Sequence, residues 1–172
     1  MKNLLAPLVI ASMMALSVKA ETSTKISRVH LCCSSCVKGV EKAVADVADV
    51  TVAVDKDAGT VTLTGPDKAS VQKAANALVA AGYFGKSSDA AIKLANDTGA
   101  KGKKVQTLKL EGVHLCCGKC VSAVDKAVKS VPGVKDQTAK KNAESFEVTG
   151  DFNDQEVLDA LQKAGLTGKV AN

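Results

Sequence analysis

Apolar positions in this chain fall into two rhythms, a short one for strands and a longer one for helices, and the order of rhythms occurs twice. A strand is predicted over about Lys25 to Leu31, and another over Val105 to Leu115. Val37, Val40, Val44 and Val47 then recur at helical spacing, as do Val121, Val124, Val128 and Val131. Gly39 weakens the first of these helices by about 1 kcal/mol relative to alanine. Val50, Val52 and Val54 alternate, Asp57-Ala58-Gly59 turns the chain, and Val61 and Leu63 alternate again, which predicts a β-hairpin. The matching stretch later on is more polar, with Val134 to Thr138, a turn at Lys140-Lys141-Asn142, and then Phe146 and Val148. A second helix is predicted over Pro66 to Ala81, with proline in its first turn and Gly82 past its end. Its counterpart runs from Asp154 to Ala164, opened by the capping pair Asn153 and Glu156 and closed by Gly165. Short last strands are predicted over Tyr83 to Lys86 and Leu166 to Val170.

The two halves match position by position. His30 corresponds to His114 and Val50 to Val134 without a gap; Gly65 corresponds to Gly150 after one residue is gained in the hairpin. Ala81-Gly82 then corresponds to Ala164-Gly165, and Gly85-Lys86 to Gly168-Lys169. Such self-similarity is read as a duplicated unit. The order β-α-β-β-α-β predicts an α+β fold of ferredoxin-like type, two helices covering one face of an antiparallel sheet. The expected organisation is a leader at 1–20, a first domain at 21–87, a linker at 88–104 and a second domain at 105–172. Ile92 and Leu94 alternate within the linker and suggest an extension of the first domain's last strand. Each unit is small and rich in valine and alanine, so its core is thin.

The leader has the marks of a secretory signal: a positive start at Met1-Lys2-Asn3, an apolar run from Leu4 to Val18, and small residues around Ala20. The apolar run is short for a membrane span. A periplasmic or secreted mature chain starting near Glu21, with no membrane span, is therefore expected. Removing Lys2 and Lys19 with the leader takes the net charge from +5 to +3. That mild basic excess, with one tyrosine, three phenylalanines and no tryptophan, argues against nucleic acid as a partner. All three methionines (Met1, Met13, Met14) lie in the leader. Any soft-metal chemistry of the mature chain falls to thiolates, with imidazole as helper.

Those groups are concentrated in two places. Val29-His30-Leu31-Cys32-Cys33-Ser34-Ser35-Cys36-Val37 and Val113-His114-Leu115-Cys116-Cys117-Gly118-Lys119-Cys120-Val121 contain all six cysteines and both histidines. In the predicted element order each CxxC lies where the first strand hands over to the first helix. The free N–H groups and dipole of a helix end favour the thiolate, the form that binds metal. Lys38 and Lys119 add to that field. One thiolate site per unit is the simplest expectation. Candidate ligands are Cys33 and Cys36, Cys117 and Cys120, the extra thiols Cys32 and Cys116, and His30 and His114. Spacing leaves open which pair binds, because Cys32 and Cys36 are also four apart.

Two bland readings stand beside this one. Export permits disulfides, and six cysteines allow 15 pairings; but adjacent cysteines and CxxC loops staple little chain. A periplasmic thiol-disulfide redox protein is the alternative function, although no aromatic adjoins either motif and the element order is not thioredoxin-like. No nucleophile is set beside a base and an orienting acid, and no glycine-rich phosphate loop occurs, so no enzyme is expected.

A CxxC between the first strand and first helix of a βαββαβ unit resembles the heavy-metal-associated domain, found in copper chaperones and in the N-terminal regions of metal-transporting P-type ATPases. The resemblance covers nearly all of the mature chain, in tandem. It implies binding of Cu(I), or of Zn²⁺ or another thiophilic ion, by Cys33 and Cys36 and by Cys117 and Cys120. It also implies carriage or buffering of the ion, with a metal-transporting or metal-accepting protein as partner. The family usually reads Gly-Met-Thr-Cys-x-x-Cys. Here Cys32 and Cys116 replace the threonine, Leu31 and Leu115 the methionine, and His30 and His114 the glycine. Three thiolates would give a trigonal site, and three with an imidazole would meet the four-coordinate demand of Zn²⁺. Bacterial members often carry a tyrosine near the metal before the last strand; Tyr83 holds that place in the first unit and Leu166 in the second. The strand leading into the second motif changes phase between Leu110 and Val113, so a kink is expected near Gly112.

Overall fold

A computed structural model describes residues 21–94 and 97–171, so the expected leader at 1–20 lies outside the described residues. The first unit comprises β1 (Thr22–Ser27), α1 (Ser34–Ala45), β2 (Thr51–Asp55), β3 (Thr60–Gly65), α2 (Lys68–Ala80) and β4 (Lys86–Ser87). The second comprises β5 (Lys104–Glu111), α3 (Gly118–Lys129), β6 (Val134–Gln137), β7 (Ser145–Asn153), α4 (Asp154–Lys163) and β8 (Lys169–Val170). The sheets run β2-β3-β1-β4 and β6-β7-β5-β8, with every neighbouring pair antiparallel. The α+β class and the βαββαβ order are thus present in both halves.

Alternation builds each core. Ile26, Val61 and Leu63 point inward from the first sheet and are fully buried beneath Val40, Val44, Val71, Ala74 and Leu78 of the helices. The second unit substitutes larger groups, with Leu110, Phe146, Val148 and Phe152 under Val124, Val128, Leu158 and Leu161. The helical stripe differs by one position from the predicted one. Cys36 and Cys120 occupy the innermost place at the start of α1 and α3, while Val37, Val47 and Val121 are only half-buried. One thiol of each motif is therefore also a core residue.

Both first strands end earlier than predicted. Arg28 and Gly112, equivalent positions, adopt left-handed backbone with φ of 64 and 70°, which stops β1 at Ser27 and β5 at Glu111. Val29, Leu31, Val113 and Leu115 are still buried, as loop residues rather than strand residues. The expected kink near Gly112 is this turn; the register shift within β5 lies elsewhere, between Val105 and Thr107. Helix α2 begins at Lys68 rather than at Pro66, because the Asp67 carboxylate caps it by accepting the Ser70 N–H at 2.8 Å. Helix α4 is capped by Asn153, whose side chain accepts the Gln155 N–H at 2.9 Å.

The joining segment is tied down at both ends. Ile92 does not extend β4; it sits in a turn and is 3% exposed. The Gln72 side chain holds the next residue, donating to the Lys93 carbonyl at 2.7 Å and accepting its N–H at 2.8 Å. Beyond it, the buried Asp154 carboxylate accepts the N–H groups of Lys101 and Lys103 at 2.9 and 2.8 Å. Burial opposes that charge, but the surrounding backbone N–H groups outweigh it and hold the carboxyl below its usual range.

The predicted last strands are displaced for a reason that concerns both units. Among the described residues, the last strands pair with β1 and β5 only through Lys86–Ser87 and Lys169–Val170. Tyr83 and Leu166, the residues expected to open those strands, bridge antiparallel to each other. The Thr167 N–H donates to the Gly82 carbonyl at 3.0 Å, and the Gly165 carbonyl accepts N–H groups from Phe84 and His30, each at 3.2 Å. Equivalent residues of the two halves meet one another, the pattern of a two-fold arrangement. The units are docked through the loops that follow α2 and α4.

Candidate metal centre

Docking of those loops brings the two cysteine motifs face to face. Cys33 and Cys117 are the N-cap residues of α1 and α3, in extended backbone with φ of −160 and −153°. That conformation turns each thiol back over the first helical turn. Neither makes a side-chain cap hydrogen bond of ordinary geometry. Burial raises the Cys33 thiol, but the Cys36 N–H, the thiols of Cys116 and Cys36 and the Ser35 N–H outweigh it, setting the pKa at about 6. At Cys117 the Cys120 N–H acts most strongly, and the pKa is again lowered. Burial pushes the Cys32, Cys116 and Cys120 thiols up.

In reduced, metal-free protein Cys33 should therefore be alkylated first by iodoacetamide, because the thiolate is the nucleophile. Its rate should climb through about pH 6 and then level off, whereas an ordinary thiol would climb through about pH 8.5. Peptide mapping over a pH series reads both, with Cys117 next and Cys32, Cys116 and Cys120 last.

All six sulfurs form one group. Within the motifs, Cys33–Cys36 and Cys117–Cys120 are separated by 3.7 and 3.8 Å, and Cys32–Cys36 and Cys116–Cys120 by 3.6 and 3.7 Å. Between them, Cys33–Cys116 is 3.6 Å, Cys36–Cys116 3.5 Å, Cys32–Cys117 3.3 Å and Cys32–Cys120 3.5 Å. The expectation was one site in each unit; the structure brings both motifs into a single cluster. All six cysteines are free.

Both histidines flank it, in different states. The Tyr83 hydroxyl donates to the Cys36 carbonyl at 2.9 Å and lies 3.1 Å from His114 Nε2, with the two rings 4.5 Å apart. With its proton committed to the carbonyl, the phenol oxygen accepts from Nε2–H, which leaves Nδ1 as the lone-pair nitrogen of His114. Leu166 stands where a matching tyrosine would serve His30, and His30 Nε2 is buried with no partner among the described residues. Burial lowers the pKa of both rings, favouring the neutral, ligating form; at His114 the His30 charge adds to it.

Gly39 belongs to this arrangement. A Cβ there would overlap the Tyr83 hydroxyl and come within 3.1 Å of His114 Cε1. Its equivalent, Ala123, faces no tyrosine. The glycine that weakens α1 makes room for Tyr83 and His114, a role that helix propensity alone hides.

Three sets of donors lie within 4.8 Å of one another: Cys36, His114, Cys116 and Cys120; His30, Cys32 and Cys120; and Cys32, Cys33 and Cys117. Each set draws on both units. Every candidate ligand named from the sequence therefore falls in the cluster. Lys38 and Lys119 are exposed at its edge.

The family comparison agrees with a metal-binding role. The heavy-metal-associated domain model matches residues 107–167, so the second unit is a heavy-metal-associated domain. Copper-transporting ATPase 2 of Rhizobium meliloti (strain 1021) is 33% identical over 131 residues, which are 74% of this chain and 13% of that protein. This chain thus spans a small part of that relative's length. Among solved structures, the N-terminal domain of PacS from Synechocystis PCC6803 is 28% identical, covering 40% of this chain and all of that one at a TM-score of 0.36. The apo HMA domain of a copper chaperone for superoxide dismutase is also 28% identical, covering 51% of this chain and 86% of that one at 0.35. Among the described residues no helix is long and apolar enough to cross a membrane.

Proposed function

We propose that this protein is an exported, non-enzymatic carrier or buffer of Cu(I), with other thiophilic ions such as Zn²⁺ as competitors. The observation that carries this reading is the packing of six free thiols with two half-buried imidazoles beside them. Thiolates select soft cations, and two of these thiols are already biased toward the anion. The first unit, with the same element order and the same HLCCxxC motif, is taken as a second heavy-metal-associated domain. Export is inferred from the composition of the leader. Ligand exchange with a metal-transporting or metal-accepting protein is the route of transfer.

Anaerobic loading of the fully reduced chain tests it. The protein should retain Cu(I) against a competing chelator far better than a version lacking all six cysteines. Equal retention by the two would end the proposal. The Cys33 thiolate also suits thiol-disulfide exchange, and that second reading requires catalytic turnover of a disulfide substrate by metal-free protein.

A further inference from the structure

We propose that metal is held between the units rather than within either, in two crossed sites: Cys33 and Cys36 are completed by Cys116 of the other unit, and Cys117 and Cys120 by Cys32. This rests on the metal-binding reading and says how that site is built.

Short sulfur contacts close two triangles. Cys33, Cys36 and Cys116 have edges of 3.7, 3.6 and 3.5 Å. Cys117, Cys120 and Cys32 have edges of 3.8, 3.3 and 3.5 Å. The triangles are equivalent under the repeat, so the same crossed arrangement appears twice from different side chains. An ion with bonds near 2.3 Å to sulfur separates two linear ligands by about 4.6 Å, three trigonal ones by about 4.0 Å and tetrahedral ones by about 3.8 Å. The CxxC pairs are nearly an ångström too close for the linear case and within a few tenths of the others. A third sulfur already stands beside each pair, and it comes from across the interface.

The first motif's own extra thiol is engaged elsewhere. Cys32 lies 3.6 Å from Cys36, but its shortest contacts run to Cys117 and Cys120. A ring nitrogen of His30 is within 4.8 Å of the Cys32 and Cys120 sulfurs, and His30 Nε2 is buried without a partner among the described residues. A ring so placed beside that triangle, with a buried nitrogen that no described residue satisfies, fits a metal ligand. The unusual residue of the motif, cysteine where the family has threonine, thus serves the partner unit's pair. Release of an ion held this way requires the units to part, or one sulfur to give way to an incoming ligand.

The test is a crossover made in the full-length protein. A Cys117→Ser/Cys120→Ser variant keeps the Cys33/Cys36 pair; serine is itself a good N-cap, so α3 keeps its start. Cu(I) affinity is measured against bicinchoninate, and the number of sulfur ligands by X-ray absorption. Adding Cys116→Ser should weaken binding by at least the roughly 10- to 100-fold that loss of an outer-shell partner costs, and the sulfur number should fall from three to two. Adding Cys32→Ser instead should change neither. In the mirror background, Cys33→Ser/Cys36→Ser, the two substitutions should exchange roles. Larger damage from the pair's own extra cysteine, equal losses from both, loss from neither, or a double variant that takes up no ion overturns the crossed site. Failure of the unmutated chain to bind Cu(I) removes the metal-binding reading beneath it instead.

Discussion

Gly82→Ala and Gly165→Ala are each expected to lower the unfolding free energy by about 2–5 kcal/mol. Both glycines have positive φ, 84 and 81°, where a non-glycine residue costs about 1–2 kcal/mol. Both also lie where the two units touch. A Cβ on Gly82 would stand 2.5 Å from the Gly112 carbonyl oxygen and from the His114 nitrogen, and one on Gly165 would overlap the Arg28 carbonyl and the His30 nitrogen. These obstacles are backbone atoms, so the units must separate to relieve them, adding a further overpacking cost of about 1–3 kcal/mol. Gly118→Ala is the control: nothing among the described residues lies within 4 Å of its added Cβ, and no stability should be lost. Denaturant titrations of the three variants check the contrast. If Gly82→Ala and Gly165→Ala unfold like Gly118→Ala, the docked arrangement of the units is wrong.

How far the sequence reveals such a molecule depends on the range over which each signal acts. Val40 with Val44, and Val61 with Leu63, announce their elements because burial within one small unit imposes a period on nearby residues. The CxxC at the strand–helix junction is legible for the same reason. The meeting of the motifs is not, since Cys33 and Cys116 are 83 positions apart and no periodicity spans that interval. Tyr83 was readable as a residue near the metal, but as part of its own unit. In the structure it crosses to His114. Gly39 held the missing clue: a glycine at a helical position whose repeat partner is alanine marks something large against that face. Gly82 and Gly165 read as helix ends, which they are. That the same absent side chains admit the neighbouring unit's backbone leaves no trace in the pattern. Arg28 went unnoticed because its equivalent, Gly112, alone carries the usual signature of a left-handed turn.

Saturation with Cu(I) is expected to stabilise the reduced protein by about 4 kcal/mol at a free ion concentration about a thousand times Kd. For a chain of this size that corresponds to a rise in Tm of about 8–16 °C. That gain matters because the resting structure is lightly built. The first unit's core relies on valine and alanine with one aromatic, Tyr83, and that ring is engaged with His114 at the interface. Metal bound through Cys36 and Cys120, both fully buried at the base of α1 and α3, acts directly on both cores. Unfolded chain with intact CxxC pairs retains some affinity, which trims the gain. Acid should reverse the stabilisation, since protons compete for the ligand thiolates. Calorimetry under anaerobic conditions, with and without Cu(I), measures the shift, and the cysteine-free version should show none. A Tm indifferent to the ion in the intact protein would mean that the sulfur cluster contributes nothing to the folded state that the unfolded chain cannot supply equally well.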